Sequence, residues 1–324
     1  MRRRFLIRSS AAAALALSGG AMAQPQFFRI GTGGLGGTYF PVGGMIATAI
    51  SEASGGGVRG LVATAVASNG SLANIAAIAA GHLEAGLSQA DVAHWAWSGT
   101  GLFAGQPRVQ GLRLIANLYP ESVQIVVRRD SGIRSVGDLR GRRVSLDEPG
   151  SGTLIDARIV LAAHGLGEAD IRPEYLKMGP AADRLRDGAL DAFFVVGGWP
   201  IGAIAELAAS IGGIDLVPVD GAPAEALLAQ FPYFARDSVP AETYPGTPET
   251  PTLAVGAQLV ADARIGADLV AAIVGALWND TTRKLLDAGH PKGRLIRKET
   301  ALVGAGIPLH PGAERFYRDA GMLK

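Results

Sequence analysis

Apolar positions along the chain alternate between two periods. Phe27-Phe28-Arg29-Ile30 is a short apolar run that predicts a strand, and Val42, Met45, Ile46, Ala49 and Ile50 then mark one face of a helix at i, i+3, i+4, i+7 and i+8. The alternation repeats. Residues Val58–Val66 predict a strand, and Leu72, Ile75, Ala76 and Ile78 a helix that ends at Gly81. Leu83–Leu87 predicts another strand, followed by a helix carrying Val92, Trp95 and Ala96. Two extended runs, Leu112–Asn117 and Ser122–Arg128, flank Tyr119-Pro120 and read as one long connection. Residues Arg142–Leu146 predict a strand and Leu154–His164 a helix. A helix over Ile201–Ala209 and a strand over Leu216–Val219 come next, and the Pro-, Tyr- and Thr-rich stretch 231–251 reads as an irregular connection. Thr252–Val260 is a second long apolar strand, and helices follow over 269–278, 280–288 and 312–320.

Each early strand runs into a polar turn before its helix. In an open parallel sheet the loops beyond the strand C-termini share one edge, where ligands bind. The first turn is the glycine loop GTGGLGGTYFPVGG at 31–44, which lets the backbone approach a solute closely and leads to the free N–H groups of a helix start. Gly33, Thr38, Tyr39, Ser71, Asn74 and Gln89 are therefore expected to converge. Ser71 and Asp91 are in addition suited to cap their helices. Asp147-Glu148-Pro149-Gly150-Ser151-Gly152-Thr153 forms a second anion-friendly turn, with Ser151, Gly152 and Thr153 as its candidates. A plain Ser/Thr helix cap explains the same residues. One internal echo, Ala80–Ala85 against Asp187–Ala192, points to two lobes of similar make, the second presenting Gly198 and Trp199 to a shared cleft. Trp95 and Trp278 fall on apolar helix faces and read as core.

The ends and the charge narrow the class. Residues 1–23 pair Arg2, Arg3, Arg4 and Arg8 with the apolar Ala11–Leu17 and a small-x-small Ala21-Met22-Ala23, the pattern of a cleaved export signal. Removing its four arginines turns the formal net charge from +1 to −3, which gives no basic surface for nucleic acid. The chain has no cysteine, which excludes disulfides and thiol chemistry.

Chemistry is sparse. The five histidines show no metal-ligand spacing, and Asp147-Glu148 reads as a surface pair whose side chains point apart. Gly31-x-Gly33-x-x-Gly36 matches a dinucleotide-binding pattern, but Glu52, at the offset of the acidic partner, lies in the helix before the next strand. An exported NAD(P)-dependent oxidoreductase is the alternative this leaves. The expectation is a protein that is not an enzyme, with no cofactor, no catalytic residue and no metal.

The motifs GTGG-x-x-GTYFPVGG, SNGSLANI, GHLEAGLSQAD, DLRGRRVSLDEPGSGT, DGALDAFFVVGGWP and IPLHPGAERFYRDAG, in this order, resemble the TAXI family of solute receptors for tripartite ATP-independent periplasmic (TRAP) transporters. The likeness covers 27–321. Gln-Ala-Asp at 89–91 and Phe40 depart from the family pattern. The resemblance implies an α/β protein with the type II periplasmic binding fold: two lobes, each a mainly parallel sheet flanked by helices, with the ligand cleft between them. It implies a signal peptide at 1–23, lobe I from 24–120 plus 250–324, and lobe II from 121–249. It further implies a monomeric periplasmic receptor that captures a small anionic solute, a carboxylate or amino acid such as glutamate or 2-oxoglutarate, and hands it to the membrane subunits of the transporter.

Overall fold

The computed structural model describes residues 25–323. The export signal expected over 1–23 lies outside them. The chain runs β1 (Gln26–Gly31), α1 (Tyr39–Ser51), β2 (Leu61–Val66), α2 (Ser71–Ala79), β3 (Ala85–Gln89), α3 (Ala90–Ser98) and β4 (Leu112–Arg128). It continues through β5 (Arg143–Ser145), α4 (Gly152–Ala163), β6 (Arg172–Glu174), α5 (Met178–Arg186), β7 (Ala192–Gly197), α6 (Gly202–Ser210), β8 (Ile214–Val217), α7 (Gly221–Gln230) and β9 (Ala235–Val239). It closes with β10 (Thr250–Asp262), α8 (Ala267–Leu277), α9 (Asp280–Gly289) and α10 (Pro311–Asp319).

The main path of the sheet reads β2-β1-β3-β10-β4-β7-β5-β6. It is symmetric about its middle. β1 pairs in parallel with β2 and β3, and β5 pairs in parallel with β6 and β7. Each triplet is finished by one antiparallel strand, β10 on β3 and β4 on β7. The internal echo in the sequence marks equivalent places, since Gly81 and Gly188 both adopt positive φ at the turn before β3 and β7. β4 and β10 lie side by side through the middle, and Gly256 faces Pro120 across their ladder.

Helices cover both faces. β7 shows the period of two: Phe193 and Val195 pack with Leu185 of α5 and Ile204 of α6, whereas Phe194 packs with Leu154 of α4 and Leu227 of α7. On the other half, Ile30 and Leu87 pack with Ile46 of α1 and Ile273 of α8, and Ile75 of α2 and Val92 of α3 cover the opposite face. Among the described residues no helix is long and apolar enough to cross a membrane.

The structure corrects several local expectations. The second strand begins at Leu61, because 58–60 form a turn with Gly60 at positive φ. The stretch 231–251 is not irregular throughout: β9 lies antiparallel on β10. Ser71 is the first residue of α2 rather than its cap, and its hydroxyl accepts from the Gln89 amide at 3.1 Å. Asp91 is not a cap either, for it lies within the first turn of α3, fully buried.

Candidate functional site

The start of α1, the start of α2 and the start of α4 meet around one cavity of about 80 Å³. Eight of the eleven expected residues line it: Gly33, Thr38, Tyr39, Ser71, Gln89, Ser151, Gly152 and Thr153. The arrangement follows from topology. β1, β2 and β3 point their C-terminal ends to one edge, β5 and β7 point theirs to the facing edge, and the turns beyond them form the walls.

Each wall is held by bonds that cross the cleft. The Thr38 hydroxyl donates to the Gly198 carbonyl at 2.6 Å, and the Gln89 side-chain amide donates to Asp156 at 2.7 Å. The Ala73 amide donates to the Gly150 carbonyl at 3.0 Å, and the Asn69 side chain to the Pro149 carbonyl at 3.2 Å. Gly152 shows how close the approach is, because a Cβ there would sit 1.4 Å from Gln89 Oε1. Ser151 caps α4 by accepting from the Leu154 amide at 3.0 Å, so the plain capping role is real. Thr153 accepts from the Val196 amide at 3.0 Å, and neither acceptor role uses up the hydroxyl proton.

Three expected residues lie outside the lining. Asn74 is wholly buried; its amide donates to the carbonyls of Thr32 at 2.7 Å and Leu87 at 2.8 Å, and its oxygen accepts from Ser68 at 2.7 Å. It binds the first three strand ends together, and Gly31 has no side chain because a Cβ would meet Asn74 Oδ1 at 2.4 Å. Gly198 is pressed against Lys292 and Tyr119, with no room for a Cβ. The Trp199 ring is covered by Lys292, whose Nζ stands 3.8 Å from the ring centroid.

Two acidic residues that the sequence did not single out as ligand-binding complete the polar lining, Glu121 and Asp147. Asp147 was expected at the surface. Instead its backbone takes a left-handed φ of 73° and its carboxyl turns into the cavity wall, while Glu148 pairs outward with Lys177. Burial raises the Asp147 pKa to about 6. Glu121 receives its hydrogen bond from the Tyr39 hydroxyl at 2.6 Å, and burial lifts its pKa to about 8 against the pull of that bond. Met178, Val195 and Ile201 supply apolar wall, and among the described residues no Lys or Arg lines the cavity. No periodic signal marks Glu121, which sits between two extended apolar runs.

Residues 30–321 match the NMT1-like family. The chain belongs to it. The fold of this NMT1-like protein is that of periplasmic binding proteins. It superposes on MatC of Rhodopseudomonas palustris, solved with malate, with a TM-score of 0.55 and 14% identity over 92% of this chain and 99% of that one. PhnD1 of Prochlorococcus marinus, in complex with methylphosphonate, gives 0.52 and 12% over 93% and 100%. A substrate-binding protein of an uptake transporter from Streptococcus pneumoniae, with bound histidine, gives 0.50 and 14% over 84% and 94%. An NMT1-like chain with a central sheet flanked by helices on both faces therefore agrees with the α/β fold expected.

Proposed function

We propose that this chain is the solute-binding receptor of a membrane transporter, of the TAXI type that serves a TRAP system, and that it is exported with cleavage after Ala23. One observation supports this most: a cavity with several polar side chains in its lining, whose walls come from both halves of the sheet and are joined by hydrogen bonds across the cleft. On this reading lobe I is 24–120 plus 250–324 and lobe II is 121–249, and the two open and close about β4 and β10. Solute that touches both lobes binds the closed form more tightly and draws the population toward it. The membrane subunits then tell loaded from empty receptor by shape, with no covalent step.

The lining also bears on the solute. Helix starts at Thr38–Tyr39 and Ser151–Thr153 each favour an anion by about 0.3–1 kcal/mol. Glu121, bonded to Tyr39, and Asp147, beside Ser151 and Thr153, add acidic groups to the same lining and favour a cation or a hydrogen-bond donor on the solute. A small amino acid carries both charges, whereas a dicarboxylate such as 2-oxoglutarate brings only negative charge to a cavity without a basic residue. Glutamate is thus the better of the two expected ligands. Native mass spectrometry of freshly purified protein, followed by calorimetry with L-glutamate and 2-oxoglutarate, tests the reading. Tighter binding of 2-oxoglutarate overturns the amino-acid assignment, and a protein that holds no small solute and binds none from an amino-acid and carboxylate panel overturns the receptor assignment. N-terminal sequencing of the exported protein should begin at Gln24.

A further inference from the structure

Beside the cavity, two aspartates meet across the cleft. Asp91 comes from α3, directly after β3, and Asp156 from α4, one turn inside its start. Both are wholly buried, and their carboxyls lie close enough to act on one another. The one well-formed hydrogen bond to either carboxyl comes from the Gln89 side-chain amide to Asp156 Oδ2 at 2.7 Å; no side chain among the described residues donates to Asp91. Neither carboxyl has a Lys or Arg in ion-pair contact among the described residues.

Two ionised carboxylates cannot remain in contact in a water-free site, so one must carry a proton that it shares with the other. The surroundings agree. Burial raises the pKa of both, and the Asp91 charge raises Asp156 further. Glu121 on β4 adds a third acidic group, which also raises Asp156. The backbone amides at Asp91 and Val92 act in the opposite sense on Asp91 and are outweighed. Tyr233, which faces Asp91, titrates above its ordinary range. His94, one turn along α3, is bonded through Nδ1 to the Gly306 carbonyl at 2.7 Å. Lys292 acts on Glu121 rather than on the pair.

We infer that Asp91 and Asp156 form a proton-dependent latch: closing the lobes takes up one proton from solvent, and opening releases it. The inference rests on the two-lobe receptor reading above, since it is lobe separation that returns both carboxyls to water. The sign follows from linkage. In the open form both aspartates titrate near ~3.9, and in the closed form the shared proton is held to higher pH. The contribution to closure is complete below the open-form value. It is lost progressively as pH rises toward the closed-form value, with up to ~10-fold in the closure equilibrium per pH unit in between.

Two measurements test this. The first is calorimetry of L-glutamate binding at pH 6 in two buffers of different ionisation heat. At pH 6 Asp147, with a pKa of about 6 in the cavity wall, also exchanges protons, and it does so in the native protein and in Asp91→Asn alike. The difference between the two proteins therefore reports the aspartate pair. The native protein should take up about one proton more than Asp91→Asn, whose carboxamide donates to Asp156 without a proton. Equal uptake by the two proteins overturns the latch. The second needs no ligand. Small-angle scattering of Glu121→Gln, which removes that group's own titration, should show a radius of gyration that shrinks from pH 8 to pH 5. Adding Asp91→Asn should abolish the trend, with circular dichroism confirming the fold. A radius independent of pH in Glu121→Gln overturns the latch, whereas failure of L-glutamate to bind counts only against the amino-acid assignment.

Discussion

The Tyr39 hydroxyl donates to Glu121 across 2.6 Å, joining the first turn of α1 to the strand that runs between the halves. Among the described residues no other side chain donates to this buried carboxyl. Tyr39→Phe leaves a buried carboxyl without its partner, and an unsatisfied buried polar group costs about 1–3 kcal/mol. Urea unfolding should show a loss of that size. A midpoint equal to that of the native protein would mean that water replaces the hydroxyl.

Thr153 sits where a solute anion would meet the start of α4, with its oxygen already accepting from Val196. Thr153→Val removes the donor to the solute and leaves the Val196 amide unpaired. Affinity for L-glutamate should fall ~10- to 150-fold, the loss of about 1.5–3 kcal/mol expected for a hydrogen bond to a charged group. Thr153→Ser keeps both functions and should restore most of it. Calorimetry showing unchanged affinity in Thr153→Val removes this residue from the site.

Gly152 is the tightest contact across the cleft. A methyl group there collides with Gln89 Oε1, and Gln89 cannot swing away freely because Asp156 holds its amide. Gly152→Ala should keep the native melting behaviour of an open receptor while weakening ligand binding by roughly 5- to 150-fold, the equivalent of ~1–3 kcal/mol of overpacking. Scattering with saturating L-glutamate should show a larger radius than the native protein. An unchanged radius and affinity would mean that the cleft relaxes at no cost.

Lys292 is 1% exposed, and its ammonium has no hydrogen-bond acceptor. Burial lowers its pKa to about 8, against the attraction of Asp237 and Glu121. In the unfolded chain the same group titrates near ~10.4. Unfolding therefore takes up a proton between those values, and stability should rise as pH goes from 8 toward 10. Lys292→Met keeps the stem packed on Trp199 and should flatten that rise. Denaturant midpoints at pH 8, 9 and 9.5 decide it, and parallel curves for both proteins would reject the buried titration.

Much of this site could be read from local sequence. The three strand–turn–helix units place Thr38, Tyr39, Ser71 and Gln89 at one edge because parallel β1, β2 and β3 must share a polarity. What local reading lacked was the direction of individual side chains. Asn74 lies about one turn beyond Ser71 on α2 and points into the strand ends, a distinction that depends on Gly31 and Gly86 leaving space for it. Asp147 enters the wall because of one left-handed backbone residue, and a non-glycine gives no sequence signal for that. Asp91 and Asp156 are 65 positions apart and meet only through the symmetric docking of two halves. The likeness to TAXI motifs covers 27–321, and the NMT1-like family match covers 30–321.

The facing of Gly256 and Pro120 in the central ladder has a mechanical consequence. One side of that rung has no amide proton to give, and the other has no side chain to pack. The register also shifts immediately beyond it, between Ala257 and Gln258. A continuous pleated ribbon resists bending most where its rungs are complete. It creases where one is missing. If the lobes move, the fold line of this sheet runs through Gly256 and Pro120, and Glu121, one residue along, would act as the short arm of a lever, turning a small flexure of the ribbon into displacement of the cavity wall.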